Sequence, residues 1–165
     1  MIWPVSVIWG IKYGVPLIPQ AQSRALETPV TARALIVHNL AHARAALRAA
    51  GTLGVPVVLM SAAGAAAYAG APYFLEFTGR AMAEHPESKA RTVLDCGAEP
   101  GLALGALSAG CPAIRYTGPR ASRVKIADIA ARSRARVDNS RYRVLDLLDV
   151  GDARTACLEW LAKRR

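Results

Sequence analysis

Cysteine is scarce, and so is lysine. Three cysteines (Cys96, Cys111 and Cys157), with no pairing pattern in their spacing, exclude a disulfide scaffold and fit a reducing compartment. Only 4 of the 21 basic residues are lysine, while 33 of the 165 residues are alanine. That skew reads as a GC-rich, bacterial-like composition, and the arginine bias also favours planar anions. Aromatic residues make up 6% of the chain. No apolar run reaches the roughly 18 uncharged residues of a membrane span, so a spanning segment is not expected. Acidic residues are few, 12 in all, and the net charge is +9. Hydrophobic residues reach 53%, enough for a core and too many for a disordered tail.

The first thirty residues differ from the rest. Their apolar runs are broken by Pro4, Lys12 and Pro16. A secretory signal needs a basic start and an unbroken apolar centre, and neither is present, although Ala21-Gln22-Ser23 resembles a cleavage site. Residues 1–30 are therefore read as an irregular N-terminal extension. Residues 31–165 are read as one α/β domain, with a cytoplasmic location expected.

From Thr31 onward short apolar runs alternate with amphipathic stretches. Candidate strands lie at 34–38 (ALIVH), 55–61 (VPVVLMS), 91–96 (RTVLDC), 111–116 (CPAIRY) and 142–147 (YRVLDL). Between them lie a helix at 40–53, with Leu40, Ala43, Leu47 and Ala50 on one face and Gly54 at its end, one or two helices in 62–90 broken near Gly70, and helices at 100–109 and 119–134. The last helix begins after the N-cap residue Asp152 and places Ala153, Ala156, Cys157, Trp160 and Leu161 on one stripe. Such alternation implies parallel strands joined by right-handed crossovers. The expected fold is an open, doubly wound parallel sheet of five strands in the flavodoxin-like order 2-1-3-4-5, with helices on both faces; a six-stranded Rossmann sheet is the alternative.

In such a sheet ligands bind at the carboxyl ends of the strands. There the sequence offers His38-Asn39, Ser61 with Gly64, Asp95-Cys96-Gly97, Thr117-Gly118-Pro119-Arg120, and residues 146–149. Small and glycine-containing turns that feed a helix expose N–H groups suited to an anion. Ser61, Gly64, Asp95, Gly97, Thr117, Gly118 and Arg120 are therefore the candidate ligand-binding residues. Thr117 could cap the following helix, and Arg120 could close over a phosphate or carboxylate. Every tight strand-to-helix turn needs Gly, Ser, Thr or Pro anyway, so plain turn chemistry is the simpler explanation of the same residues.

Three residues are candidates for catalysis. Asp95, at the tip of a central strand, could serve as a base, or simply cap the next helix. Cys96 could be a nucleophile with His38 as its partner, but adjacent strand residues face opposite ways, so Asp95 and Cys96 should not share a pocket. His38 and His42 are four apart, yet His38 ends a strand, so no metal site is expected. Tyr68 and Tyr73 are candidate pocket aromatics, and Phe74, Phe77 and Met82 a core face. The stretch 64–70 (GAAAYAG) could cover the rim.

Residues 119–143 carry eight basic side chains (Arg120, Arg123, Lys125, Arg132, Arg134, Arg136, Arg141 and Arg143) against Asp128 and Asp138. Such a stripe could meet nucleic acid or an acidic partner, but no aromatic interleaves it before Tyr142. A solvated helix face is the simpler explanation.

Two families share local features. Residues 93–101 (VLDCGAEPG) resemble the first motif of S-adenosylmethionine-dependent methyltransferases, with Glu99 where those carry a glycine, no acid after the following strand, and the motif on the third strand instead of the first. The span 34–161 resembles response-regulator receiver domains, with Asp95 at the phosphoacceptor position and Thr117 at the switch hydroxyl. The acidic pair such domains carry after the first strand is replaced by His38-Asn39, and no lysine ends the fifth. Neither family is adopted, and no cofactor is named. The expected role is a small module binding a small anionic ligand at the strand ends. The alternatives are a small enzyme using Asp95 or Cys96, and a degenerate receiver-like or interaction module using the arginine-rich stripe. Homo-oligomerisation is left open.

Overall fold

The computed structural model describes residues 33–163. The expected extension at 1–30 lies outside them. The elements run β1 (Arg33–Ile36), α1 (Leu40–Leu53), β2 (Val57–Met60), α2 (Ala65–Tyr68), α3 (Ala71–Glu84), β3 (Ala90–Asp95), α4 (Pro100–Ser108), β4 (Ala113–Arg115), α5 (Arg120–Arg132), β5 (Arg136–Val137), β6 (Arg143–Asp146) and α6 (Ala153–Ala162). Local chemistry sets several ends. Asn39 caps α1 by accepting the His42 N–H, and Gly54 ends that helix at φ 64°, in the left-handed region. Asp152 caps α6 through the N–H groups of Arg154 and Thr155.

The α/β class and the parallel sheet hold: every strand pairing is parallel. The order differs from expectation. The sheet has six strands in the order β5-β4-β3-β2-β1-β6. The extra strand, β5, has only two residues, too few to leave a periodic signature. Each step from β1 to β5 moves one place in the same direction. Right-handed crossovers that never reverse lay their helices on one face. The main core accordingly joins helix residues such as Leu47, Phe74, Ala106, Ile126 and Leu161 to the strand residues Leu35, Leu59, Leu94 and Ile114. The opposite face holds Ala34, Val58, Met60, Val93 and Ala113, packed by Ile36 and Tyr142, with no helix residue among them. The doubly wound arrangement with helices on both faces is thus replaced by a one-sided one.

The return from β5 to β6 bends the sheet. These strands are its two edges, five intervals apart, which in a flat sheet is about 24 Å. The six steps from Val137 to Arg143 reach at most about 22 Å. The same steps must also run back along the strand direction, because β6 is parallel to β1. The sheet therefore curls, and the connection crosses its concave, helix-free face. Contacts mark the crossing. Arg91, on the same side of β3 as Val93, donates to the Tyr142 hydroxyl and lies 3.4 Å from the Asp138 carboxylate. The Tyr142 hydroxyl donates to Asp138 Oδ2 at 2.7 Å.

Candidate functional site

Because all strands point one way, their carboxyl ends share one rim. Along β3 the side chains alternate: Val93 packs on the concave face, Leu94 and Cys96 in the helix-side core. Asp95 therefore belongs to the concave side. It is buried, and its surroundings fix it. Its backbone N–H donates to Ser61 Oγ at 2.8 Å, and its Oδ1 accepts the N–H groups of Gly64 at 2.9 Å and Gly97 at 2.8 Å. Both glycines have positive φ, 65° and 58°. Gly97 in turn accepts the Thr117 N–H through its carbonyl at 2.8 Å. Ser61, Gly64, Asp95, Gly97 and Thr117 thus form one connected cluster.

Its chemistry differs from expectation in one respect. The N–H groups of Gly64 and Gly97 are occupied by the chain's own carboxylate instead of facing outward toward an anion. Asp95 does not cap the next helix either, since Glu99 holds the N-cap position of α4. Asp95 Oδ2 has no partner among the described residues and is not sealed from the surface. One oxygen is anchored and the other is left without a partner among the described residues.

Cys96 lies on the other side of the sheet, fully buried. Burial, then the Asp95 charge, push its thiol up to about 12. A thiol held there is protonated at neutral pH. Burial does the same to Cys111, helped by Cys96, and to Cys157, each pushed up to about 12.

The turn from β4 to α5 is tightly built. A Cβ on Gly118 would run into the Tyr116 ring and hydroxyl and stand 2.9 Å from the Ala98 carbonyl oxygen. The Tyr116 hydroxyl is buried with no partner among the described residues. Thr117 does not cap α5; Pro119 holds the N-cap position, and no side chain caps it. Arg120 opens α5, is exposed, and lines an open groove of about 340 Å³ with Arg123, Val124 and Ala127.

Two features escaped the sequence reading. Arg115 is the register partner of Asp95 on β4, placed on the same concave side, and donates to the Ser140 carbonyl at 3.0 Å. Counting alternation from the buried Ile114 would have found it. His38 and Asp146 are brought together by the parallel pairing of β1 with β6, with Nε2 and Oδ1 2.6 Å apart. Asp146 Oδ1 also accepts the Leu148 N–H at 2.9 Å. Burial opposes ionisation of Asp146, but the His38 and Leu148 hydrogen bonds outweigh it and hold the carboxyl below its ordinary value. The His42 ring meets His38 edge-on at 5.8 Å between centroids. Burial, then the His38 charge, lower the pKa of His42.

A cavity of about 40 Å³ opens beside this pair. His38, Ser61, Tyr68 and Tyr73 line it above a floor of Val37, Phe74, Phe77 and Leu94. Phe74 and Phe77 are buried as expected, and Met82 is partly buried against the same core. Among the described residues no group of three His, Cys, Asp or Glu side chains is placed to hold a metal ion. No described helix is long and apolar enough to cross a membrane. The basic run does not form one stripe. Arg136, on the edge strand β5, faces Asp138 at 3.5 Å, while Arg143, on the opposite edge strand β6, lies over the ring of Trp160 in α6.

No family model matches the chain. Over 82 residues it is 32% identical to a fructose-bisphosphate aldolase from Xanthobacter flavus. That stretch covers 50% of this chain and 23% of the aldolase, so the chain spans about a quarter of the length of this curated relative.

Proposed function

We propose that the chain binds a small, phosphorylated, hydroxyl-bearing molecule at the carboxyl rim of its sheet. One observation carries the reading: Asp95 is fixed by Ser61, Gly64 and Gly97 with a single oxygen left for a ligand. A carboxylate oxygen held this way accepts a hydroxyl proton. Arg120 and Arg115 are cations at or beside the rim, and a guanidinium matches a phosphate in shape and charge. Similarity to a protein named for a sugar bisphosphate favours that ligand class.

The test is a thermal-shift and calorimetric titration with fructose 1,6-bisphosphate and with inorganic phosphate. The expected result is stabilisation by the sugar bisphosphate that falls at least about tenfold in affinity in Arg120→Ala or Arg115→Ala, a loss of about 1.4 kcal/mol. Binding that is absent, or unchanged in both variants, overturns the reading.

A second reading makes the same rim an active site with Asp95 as general base. The anchored geometry of Asp95 favours it over the Cys96 version, because that thiol is buried and protonated. The receiver-like and nucleic-acid readings draw less support, since Asp95 Oδ1 is already occupied and the basic run is divided.

A further inference from the structure

We infer that the His38–Asp146 pair is a proton-accepting subsite for a hydroxyl group of the ligand, separate from the arginines that would hold its phosphate. The inference rests on the ligand class proposed above. A carboxylate can only accept, so the 2.6 Å contact requires a proton on His38 Nε2. In the neutral ring Nδ1 is then a bare acceptor. It makes no hydrogen bond among the described residues and is not sealed from the surface. The ring is held from several sides. Asp146 is itself fixed by the Leu148 N–H, His42 stands against the ring edge, and the Tyr73 hydroxyl donates to the His38 carbonyl at 3.2 Å. This fixing suits a group that must present one atom in one direction.

Charge decides what the subsite accepts. Asp146 stands directly behind the imidazole, so a phosphate here would meet a like charge. The strand ends offer two acceptors, His38 Nδ1 beside the cavity and Asp95 Oδ2 on the concave side of β3. Ser61 links them in space, because it lines the cavity beside His38 and receives the Asp95 N–H. The cavity of about 40 Å³ is about three times what a single water needs, room for a short hydroxyl-bearing end such as a hydroxymethyl group. The ligand class is a polyol or keto-polyol phosphate, oriented with its hydroxyl end toward β1 and β6 and its phosphate toward β4 and α5.

The test is long-range proton–nitrogen NMR of the imidazole rings in the full chain at pH 7.5, before and during titration with fructose 1,6-bisphosphate or inorganic phosphate. The inference expects His38 as the Nε2–H tautomer with an unprotonated Nδ1, and an Nδ1 resonance that moves with the sugar bisphosphate and not with phosphate alone. His38→Ala should weaken sugar bisphosphate binding at least fivefold while leaving any phosphate binding unchanged. An Nδ1–H or doubly protonated His38 overturns the subsite. So does a sugar bisphosphate that binds in an Arg120- or Arg115-dependent way without moving His38, and this outcome leaves the proposed function standing. If the sugar bisphosphate does not bind at all, both fall.

Discussion

Asp95 Oδ1 accepts the backbone N–H of Gly64, thirty-one positions earlier in the chain, at 2.9 Å. That single contact ties the turn after β2 to the tip of β3. With the Gly97 N–H on the same oxygen, a carboxylate holds two left-handed turns in register.

Replacing Asp95 should therefore destabilise the whole rim. Hydrogen bonds to a charged acceptor contribute about 1.5–3 kcal/mol each. Asp95→Ala is expected to lower the unfolding free energy by about 3 kcal/mol in urea denaturation, and Asp95→Asn by less, since it keeps one acceptor oxygen. A loss under about 0.5 kcal/mol in Asp95→Ala, within the range of ordinary surface substitutions, would contradict the anchoring role.

Gly118 and Tyr116 yield a paired prediction. Gly118→Ala places a methyl group against the Tyr116 ring and should cost about 1–3 kcal/mol, as overpacking does. Tyr116→Phe removes a buried hydroxyl that has no partner among the described residues and should cost nothing measurable. It should not rescue Gly118→Ala, because the ring carbon itself stands in the way. Thermal unfolding of the two single variants and the double variant checks all three statements.

The connection across the concave face makes stability depend on pH. Burial opposes ionisation of Asp138, but the Tyr142 hydroxyl, the Ser140 contacts and the Arg91 charge together hold its carboxyl below the ordinary value. A depressed carboxyl stabilises the fold above the unfolded-state value, about 4, and this contribution is lost as pH falls through the folded value. Unfolding free energy should drop as pH is lowered from about 5 to 3, and less steeply in Asp138→Asn. Equal slopes in both proteins would remove Asp138 from the explanation.

Thiol chemistry reports on the helix-side core. Cys96, Cys111 and Cys157 are all buried, each with its thiol pushed up to about 12. A thiol-reactive disulfide reagent at pH 8 should label none of them in the folded protein and all three in denaturant. Rapid labelling of Cys96 in the folded state would revive it as a nucleophile.

Much of this was legible in the sequence because the relevant signals are local. The period of α1, the cap at Asp152 and the break at Gly70 each depend on a few neighbouring residues, and the helices sit where those signals put them. Parallel strands followed from the alternation alone. The strand order did not, since it depends on which way each crossover steps and on a two-residue β5 with no pattern to read. The partnership of His38 with Asp146 was out of reach for the same reason: it exists only because β6 returns to the free side of β1, 108 positions later. Ser61, Gly64, Asp95 and Gly97 were singled out as strand-end residues, but the hydrogen bonds that join them were not legible. Arg115 was overlooked although its alternation with Ile114 marked it.

The most direct test of the account is amide chemical-shift mapping during titration with fructose 1,6-bisphosphate. The account predicts changes gathered at the strand ends, in residues 38–39, 61–65, 95–98 and 115–120, from segments far apart in sequence that meet at one rim. Shifts confined to the amino-terminal ends of the strands, or scattered over the outer helix faces with the rim unmoved, would contradict it.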